Sequence, residues 1–262
     1  MDSVNKTLYI PLYGKALVSR MGLILEDRKA EEIWAAGGLA LKGKAKSKWL
    51  AYYMAMRSRV FDDWVKERMA QHPDAAVLHL GCGLDSRCLR VGGSAPWYDV
   101  DFPQVIKERR KFYEETETYR MIPSDIRGDW LPQIPGKTAI VLMEGISMYL
   151  RPEELAAVLE QIGGHFASVY LLTDCYTTFA AKMSKYKNPI NEVGVTQVYG
   201  LDDPKKLELG GLALVREHAM TPEHLIRQLD GMEQTLFRKL YAGKTAGKLY
   251  RMYEYKKEAP QT

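Results

Sequence analysis

The stretch Val77-Leu78-His79-Leu80-Gly81-Cys82-Gly83-Leu84-Asp85-Ser86-Arg87 decides the fold. A short apolar run enters a Gly-x-Gly turn and leaves it as the start of a helical pattern. Glycines in such a turn let the backbone bend sharply and approach a ligand with no Cβ in the way. Twenty residues after Gly81, a second apolar run (97–101) ends in Asp101. An acid at the tip of a second strand can accept hydrogen bonds from both hydroxyls of a ribose. Together these features describe the nucleoside end of a parallel α/β sheet, whose ligands sit at the carboxyl ends of the strands.

Working outward, apolar runs at 77–81, 97–101, 139–144 and 169–174 read as strands, with 119–123 as a weaker one. Helical patterns lie between them at 104–117 and 152–165, the latter with Pro152 in its first turn, where a missing N–H costs nothing. Strands alternating with helices imply right-handed crossovers and a parallel sheet covered on both faces. Two further strand candidates follow at 212–217 and 249–255, and a helix is expected after Thr221-Pro222-Glu223. Upstream, short amphipathic stretches cover 16–25 and 29–37, and Ser47 can cap a longer helix running to about Met69. The apolar stripe of that helix includes Tyr53, Phe61, Trp64 and Val65, and Arg57 falls on it. A buried arginine needs an anionic partner, whereas Arg59 points the other way, toward solvent. The chain therefore reads as one α/β domain spanning 1–262. Residues 1–72 form a helical N-terminal cap, and the irregular segment 175–211 forms a substrate lid.

Composition narrows the class. With 262 residues, 46% hydrophobic and 27% charged, the chain can bury a continuous core. No apolar run approaches the roughly 20 residues that span a bilayer, and the first residues have no secretion-signal pattern. Cys82, Cys88 and Cys175 are an odd number for a disulfide framework. A cytoplasmic protein without membrane partners is expected. Net charge is +4, from 37 Lys plus Arg against 33 Asp plus Glu, too small and dispersed an excess for nucleic acid. The basic run 42–48 reads as a solvated loop. The five histidines have no metal-ligand spacing, so no metal is expected.

Two cofactors compete for the glycine turn. A dinucleotide fingerprint wants a third small residue, glycine or alanine, and here that position is Ser86 followed by Arg87. The Tyr253/Lys257 pair has reductase spacing but lies in a terminal strand pattern. S-adenosyl-L-methionine has no pyrophosphate and needs only the two glycines, the ribose acid and a site for its amino-acid end. It is the better match.

Three blocks of sequence, 80–87, 98–103 and 144–150, resemble blocks of the leucine carboxyl methyltransferase family, whose bacterial members include O-methyltransferases of polyketide biosynthesis. The resemblance extends to 9–16, 57–62, 124–130 and 199–204, in order along most of the chain. It implies a class I methyltransferase-like fold: a doubly wound, seven-stranded, mostly parallel sheet whose last strand in sequence is antiparallel. It also implies roles. Gly81 and Gly83 would present backbone to the methionine part of the cofactor, and Asp101 would hold the ribose. Asp125 and Ile126 would sit by the adenine edge, and Glu144 would face the cofactor. Lys15 and Arg57 would pair with the cofactor's carboxylate. Cys82, where alanine is more frequent, and Lys15, where many bacterial members carry arginine, depart from the pattern but keep size or charge.

The expected activity is S-adenosylmethionine-dependent O-methyl transfer to a small-molecule phenol or carboxylate, with a polyketide-like acceptor one form of it. The alternatives are a protein C-terminal carboxyl methyltransferase, an NAD(P)-dependent oxidoreductase, and a non-enzymatic cofactor-binding protein. Tyr149 is the candidate to contact the acceptor at the reacting end. Tyr176, Tyr186 and Tyr199, with Phe179 and Met183, are candidates for the acceptor pocket. A monomer or homodimer is expected.

Overall fold

The computed structural model of the chain describes residues 8–37, 41, 43–184 and 197–259. Its sheet contains β1 (Ala76–Leu80), β2 (Trp97–Asp101), β3 (Tyr119–Pro123), β4 (Thr138–Met143), β5 (Ser168–Tyr176), β6 (Ala213–His218) and β7 (Tyr250–Lys257). In space the order is β3-β2-β1-β4-β5-β7-β6. The strands from β3 to β5 pair in parallel, while β7 runs antiparallel to both β5 and β6. The expected doubly wound, mostly parallel sheet with an antiparallel last strand is thus the observed fold. Strand order reverses between β1 and β4, so their carboxyl ends flank a crevice, the usual ligand site of such sheets.

The central strands are apolar throughout because both faces are covered. Successive residues feed opposite cores: Val77 of β1 joins one, and Ala76, Leu78 and Leu80 join the other. The first core is completed by α1 (Tyr9–Arg20), α2 (Arg28–Ala35) and α3 (Lys48–Gln71), through Leu12, Ala16, Ile33, Tyr52, Met56, Phe61 and Val65. The second is completed by Leu155, Val158, Leu159 and Ile162 of α6 (Pro152–His165), which lie three and four residues apart on one helix face. The N-terminal helices therefore share a core with the sheet and form one of its covering layers. The remaining helices are short: α4 (Arg87–Arg90), α5 (Pro103–Arg109), α7 (Thr178–Met183), α8 (Glu223–Ile226), α9 (Gly231–Tyr241) and α10 (Gly243–Gly247).

Several boundaries differ from the sequence reading. The first helix spans Tyr9–Arg20, not 16–25. Pro11 sits in its first turn, where no N–H is required, and Gly22 at φ +67 ends it. The helix expected over 104–117 stops at Arg109. Glu114, Glu115 and Glu117 would place acid at a helix C-terminus, and Lys111 and Phe112 instead donate to carbonyls three residues back. Ser47 precedes α3 without a side-chain capping bond. Strand β5 continues past residue 174 to Tyr176, because β7 extends the ladder by pairing Tyr250 with Tyr176. The segment 175–211 thus begins inside the sheet. It continues through α7 and a 3-10 turn at Pro204–Leu207, and Tyr186 lies outside the described residues.

Candidate active site

Backbone geometry shapes the cavity floor. Gly81 and Gly83 adopt φ of +67 and +54, a left-handed conformation that other residues enter at a cost. A Cβ on Gly81 would lie 2.3 Å from the Ile146 side chain. The turn directs Gly83 N–H to Asp101 Oδ2 at 2.8 Å, and Phe102 N–H donates to Asp101 Oδ1 at 2.7 Å. Each oxygen keeps a further lone pair for a ligand hydroxyl. Burial raises the Asp101 pKa, against the opposing effect of those two backbone donors.

Above this turn opens a cavity of about 430 Å³, within the usual range for small-ligand sites. Lys15, Arg57, Gly81, Gly83, Asp101, Asp125, Ile126 and Glu144 all line it, as do Tyr149 and Tyr176. Chain segments more than 100 residues apart in sequence therefore converge on one space. Tyr199 is placed elsewhere, in a separate cleft of about 70 Å³ that it shares with Tyr176. Phe179 and Met183 are about half exposed on α7 and line neither space, because that helix turns them outward.

The cationic residues are more heavily partnered than the sequence implies. Arg57, on the buried face of α3, reaches Glu144 Oε1 at 3.0 Å and Asp174 Oδ2 at 3.2 Å, and it donates to the Tyr250 hydroxyl at 3.1 Å. Its Nε is buried and makes no hydrogen bond among the described residues. Lys15 pairs with Asp85 at 2.9 Å. Arg87, fully buried, holds Asp62 at 2.7 Å, Asp85 at 3.2 Å and also Glu144. Ser58 donates to Glu144 at 3.0 Å. Burial by itself would raise the Glu144 pKa, but Arg87 and Arg57 overcome it and hold the group at about 2. Asp174 is the opposite case. Burial lifts it to about 6, because Arg57 only partly offsets desolvation and the neighbouring Glu144 adds to it. At the far corner, Asp125 is bound through both oxygens by Arg127, which lowers its pKa and bridges to Glu154 at 2.7 Å.

The sequence reading missed Asp85, Arg87, Ser58, Asp62, Asp174 and Tyr250. Asp85 and Arg87 stand in the glycine-turn stretch itself, and Ser58 and Asp62 follow Arg57 at one and five residues, so a helical wheel through α3 offered a signal. Asp174 and Tyr250 meet only through the β5–β7 register, which no local pattern encodes.

The family model of leucine carboxyl methyltransferase matches residues 4–163. The tetracenomycin polyketide synthesis O-methyltransferase TcmP of Streptomyces glaucescens is 32% identical over 213 residues, covering 79% of each chain. The chain belongs to the leucine carboxyl methyltransferase family. It is an S-adenosylmethionine-dependent methyltransferase. A second relative, the S-adenosyl-L-methionine-dependent methyltransferase dpfgK of Gibberella zeae, is 30% identical over 57% of this chain and 56% of its own. Among solved structures, a putative methyltransferase from Thermobifida fusca superposes with a TM-score of 0.55 at 14% identity, over 83% of this chain and 90% of its own. Magnesium protoporphyrin IX methyltransferase from Synechocystis PCC 6803, solved with bound SAH, gives 0.50 at 14% identity, over 82% and 90%. At these identities the likeness concerns the fold alone.

The residues of the cavity fit the cofactor. Asp101 offers acceptors for two ribose hydroxyls, the orphaned buried Nε of Arg57 is a donor suited to a carboxylate, and the glycine turn leaves backbone accessible. Among the described residues, no cluster of His, Cys, Asp and Glu is arranged to hold a metal, and no helix is long and apolar enough to cross a membrane.

Proposed function

We propose that the protein is an O-methyltransferase whose acceptor is a small molecule presenting a phenol or carboxylate, a polyketide-like compound being one form. The observation that carries this reading is the continuity of the cavity. Asp101 and Asp125, assigned here to the nucleoside, line the same space as Arg57 and Glu144 and as Met54, Met148, Tyr149, Tyr176 and Tyr250. Aromatic and thioether side chains with a few hydroxyls suit a planar, mostly apolar acceptor with one reacting oxygen. The 32% identical TcmP, an O-methyltransferase of polyketide synthesis by name, supports oxygen as the target.

In this reading the nucleoside is held by Asp101, with Asp125 and Ile126 at the adenine edge. Arg57 and Lys15 receive the cofactor's carboxylate, and Gly81 and Gly83 leave room beside it. Bound S-adenosylmethionine supplies an electrophilic methyl on a sulfonium. The protein contributes alignment and the exclusion of water, which favour in-line transfer. Glu144, held ionised by Arg87 and Arg57, fixes their guanidinium groups in turn. Tyr149, which lines the cavity, is the residue we assign to contact the acceptor. We read the whole chain as one methyltransferase domain, with residues beyond β5 bordering the acceptor end.

A screen of labelled-methyl incorporation across phenols, carboxylates and cell extract tests the proposal. Incorporation into small-molecule oxygens supports it. Labelling confined to protein C-termini would select the carboxyl methyltransferase alternative that the family name suggests. Labelling of nitrogen or carbon alone would overturn the oxygen assignment.

A further inference from the structure

A hydroxyl acceptor must lose a proton as it is methylated, and most carboxylates at the cavity are already committed. Glu144 is held by two arginines, Asp85 by Lys15, Arg87 and Arg90, and Asp125 by Arg127. Asp101 accepts two backbone N–H groups at the nucleoside side. One carboxyl at the acceptor end differs from these. Asp174, fully buried in β5, accepts Gly145 N–H through Oδ1 at 2.7 Å. Its Oδ2 is buried and accepts no aligned hydrogen bond among the described residues, although Arg57 Nη1 stands 3.2 Å away.

The route to that oxygen runs through Tyr250. In the β5–β7 ladder Asp174 pairs with Met252 and Tyr176 with Tyr250, so Tyr250 is the diagonal neighbour of Asp174 on the same sheet face. Asp174 does not itself line the cavity, whereas Tyr250 does, and the Tyr250 hydroxyl and Asp174 Oδ2 both meet Nη1 of Arg57, at 3.1 and 3.2 Å. That hydroxyl already accepts from Arg57 at 3.1 Å, leaving a second lone pair for an acceptor O–H and its own proton to donate.

We propose that Asp174 holds the proton that leaves a hydroxyl acceptor, receiving it at Oδ2 through the hydroxyl of Tyr250. The acceptor O–H breaks and its electron pair forms the new O–C bond, while the methyl's former bonding pair stays on sulfur. The acceptor's proton goes to the Tyr250 oxygen as the tyrosine's own proton passes to Asp174 Oδ2, so the tyrosine ends neutral. Arg57 remains paired with Glu144 when Asp174 is neutralised, so no charge is stranded. The groups facing Asp174 are Arg57 and Tyr53 from α3, Glu144 beyond β4, Tyr250 from β7, and Tyr176, which acts on it through Tyr250. With burial they leave the carboxyl at about pH 6, suited to accept a proton above that pH and to hold it below. Asp174 is thus a positioning and proton-holding residue acting through Tyr250. The inference rests on the O-methyl reading and selects hydroxyl acceptors within it, because a carboxylate has no proton to lose.

The test has two arms. Infrared titration of the full chain between pH 4.5 and 8 should show a protonated carboxyl band with a midpoint near 6, absent from Asp174→Asn. Absence of that band from the wild type, or its persistence in the variant, would overturn the assignment without reference to any acceptor. The second arm uses the hydroxyl and carboxylate acceptors found by the labelled-methyl screen. With a hydroxyl acceptor, kcat should fall about tenfold per pH unit below 6. Asp174→Asn should lose that limb and run roughly 10²–10⁴-fold slower, the usual contribution of a general base. Tyr250→Phe should lower kcat at least tenfold while S-adenosylmethionine Kd stays within threefold. A wild-type pH profile in Asp174→Asn overturns the proposal. A screen yielding only carboxylates overturns the hydroxyl selection but leaves the O-methyl reading standing, and one yielding no oxygen acceptor removes that reading itself.

Discussion

Replacing Arg87 by Met removes one charge from the middle of three carboxylates and keeps most of the side chain's volume. The guanidinium is fully buried. It is 2.7 Å from Asp62 and 3.2 Å from Asp85, pairs with Glu144, and lies 5.4 Å from the Phe61 ring centroid. Breaking one side of a buried ion pair costs about 3–5 kcal/mol, because the remaining charge is stranded. At roughly 2–4 °C per kcal/mol for a chain of this size, the melting temperature should fall by about 10 °C. The pH dependence identifies the cause. In the wild type Glu144 is held at about 2, below its ordinary 4.5, so its contribution is full above pH 4.5 and is lost as pH falls toward 2. Without Arg87 the desolvation of Glu144 loses its largest opponent and the carboxyl's pKa moves upward. The cost in the variant is then greatest at alkaline pH and is relieved as pH falls through the raised value. Denaturant unfolding of both proteins from pH 8 to pH 5 should therefore show a stability gap that narrows with acid. A gap below about 1 kcal/mol at pH 8, typical of an exposed pair, would refute the reasoning, as would a gap of constant size.

Three further outcomes follow from the site. Asp101→Ala should weaken S-adenosylmethionine binding by about 1.5–3 kcal/mol in calorimetry, the range for lost charge-assisted hydrogen bonds, while NAD(H) should not bind either protein. Arg57→Met should lose cofactor affinity and lower the melting temperature. Arg59→Met should leave cofactor affinity unchanged and cost at most about 1 kcal/mol of stability, because Arg59 is 40% exposed, pairs with Asp63 and donates to the Ile24 carbonyl at 3.2 Å, away from the cavity; equal effects of the two on affinity would contradict the helix register. Gly81→Ala should abolish tight cofactor binding, since its Cβ would displace Ile146 from the cavity wall and its φ of +67 would be strained; unchanged affinity would show that the turn has slack.

The part of the cavity that we assign to the nucleoside was legible in the sequence as a strand–turn–strand arrangement because its parts are local. A strand, a glycine turn and the tip of the next strand lie within the 25 residues from Val77 to Asp101, and each imposes a residue type through backbone geometry alone. Arg57 was legible as a buried charge on an apolar helix face, but its partners were not. The sequence called for an anionic partner, and within the chain the structure gives it Glu144, Asp174 and the Tyr250 hydroxyl. The residues proposed for the acceptor pocket were read least well. Phe179 and Met183 looked like pocket residues because they are apolar in an irregular segment, yet a short helix turns them outward. Tyr250 was passed over because a tyrosine at the start of a terminal strand carries no local mark. It acquires a position at the cavity only when β7 pairs antiparallel to β5 and brings it opposite Tyr176.

That contrast has a physical source in α3. The helix packs Tyr52, Met56, Phe61 and Val65 into the core and, from the same buried surface, presents Arg57, Ser58 and Asp62 to the carboxyl edge of the sheet. Each of the two charged residues is costly to bury alone and becomes tolerable only through partners contributed by other segments: Asp62 through Arg87 and Arg90, and Arg57 through Glu144 and Asp174. Ser58 joins the two sets by donating to Glu144 and accepting from Arg87. The network that stabilises the packing of α3 therefore also contributes Arg57, Asp85 and Glu144 to the cavity wall. Loss of activity in a variant of Arg57, Arg87 or Glu144 thus carries no information about chemistry until its stability has been measured. Tyr250 carries no charge of its own, and Tyr250→Phe keeps its ring beside the Arg57 guanidinium, 5.8 Å from the ring centroid, while removing only the hydroxyl, so it separates catalysis from folding more cleanly than any substitution within the cluster.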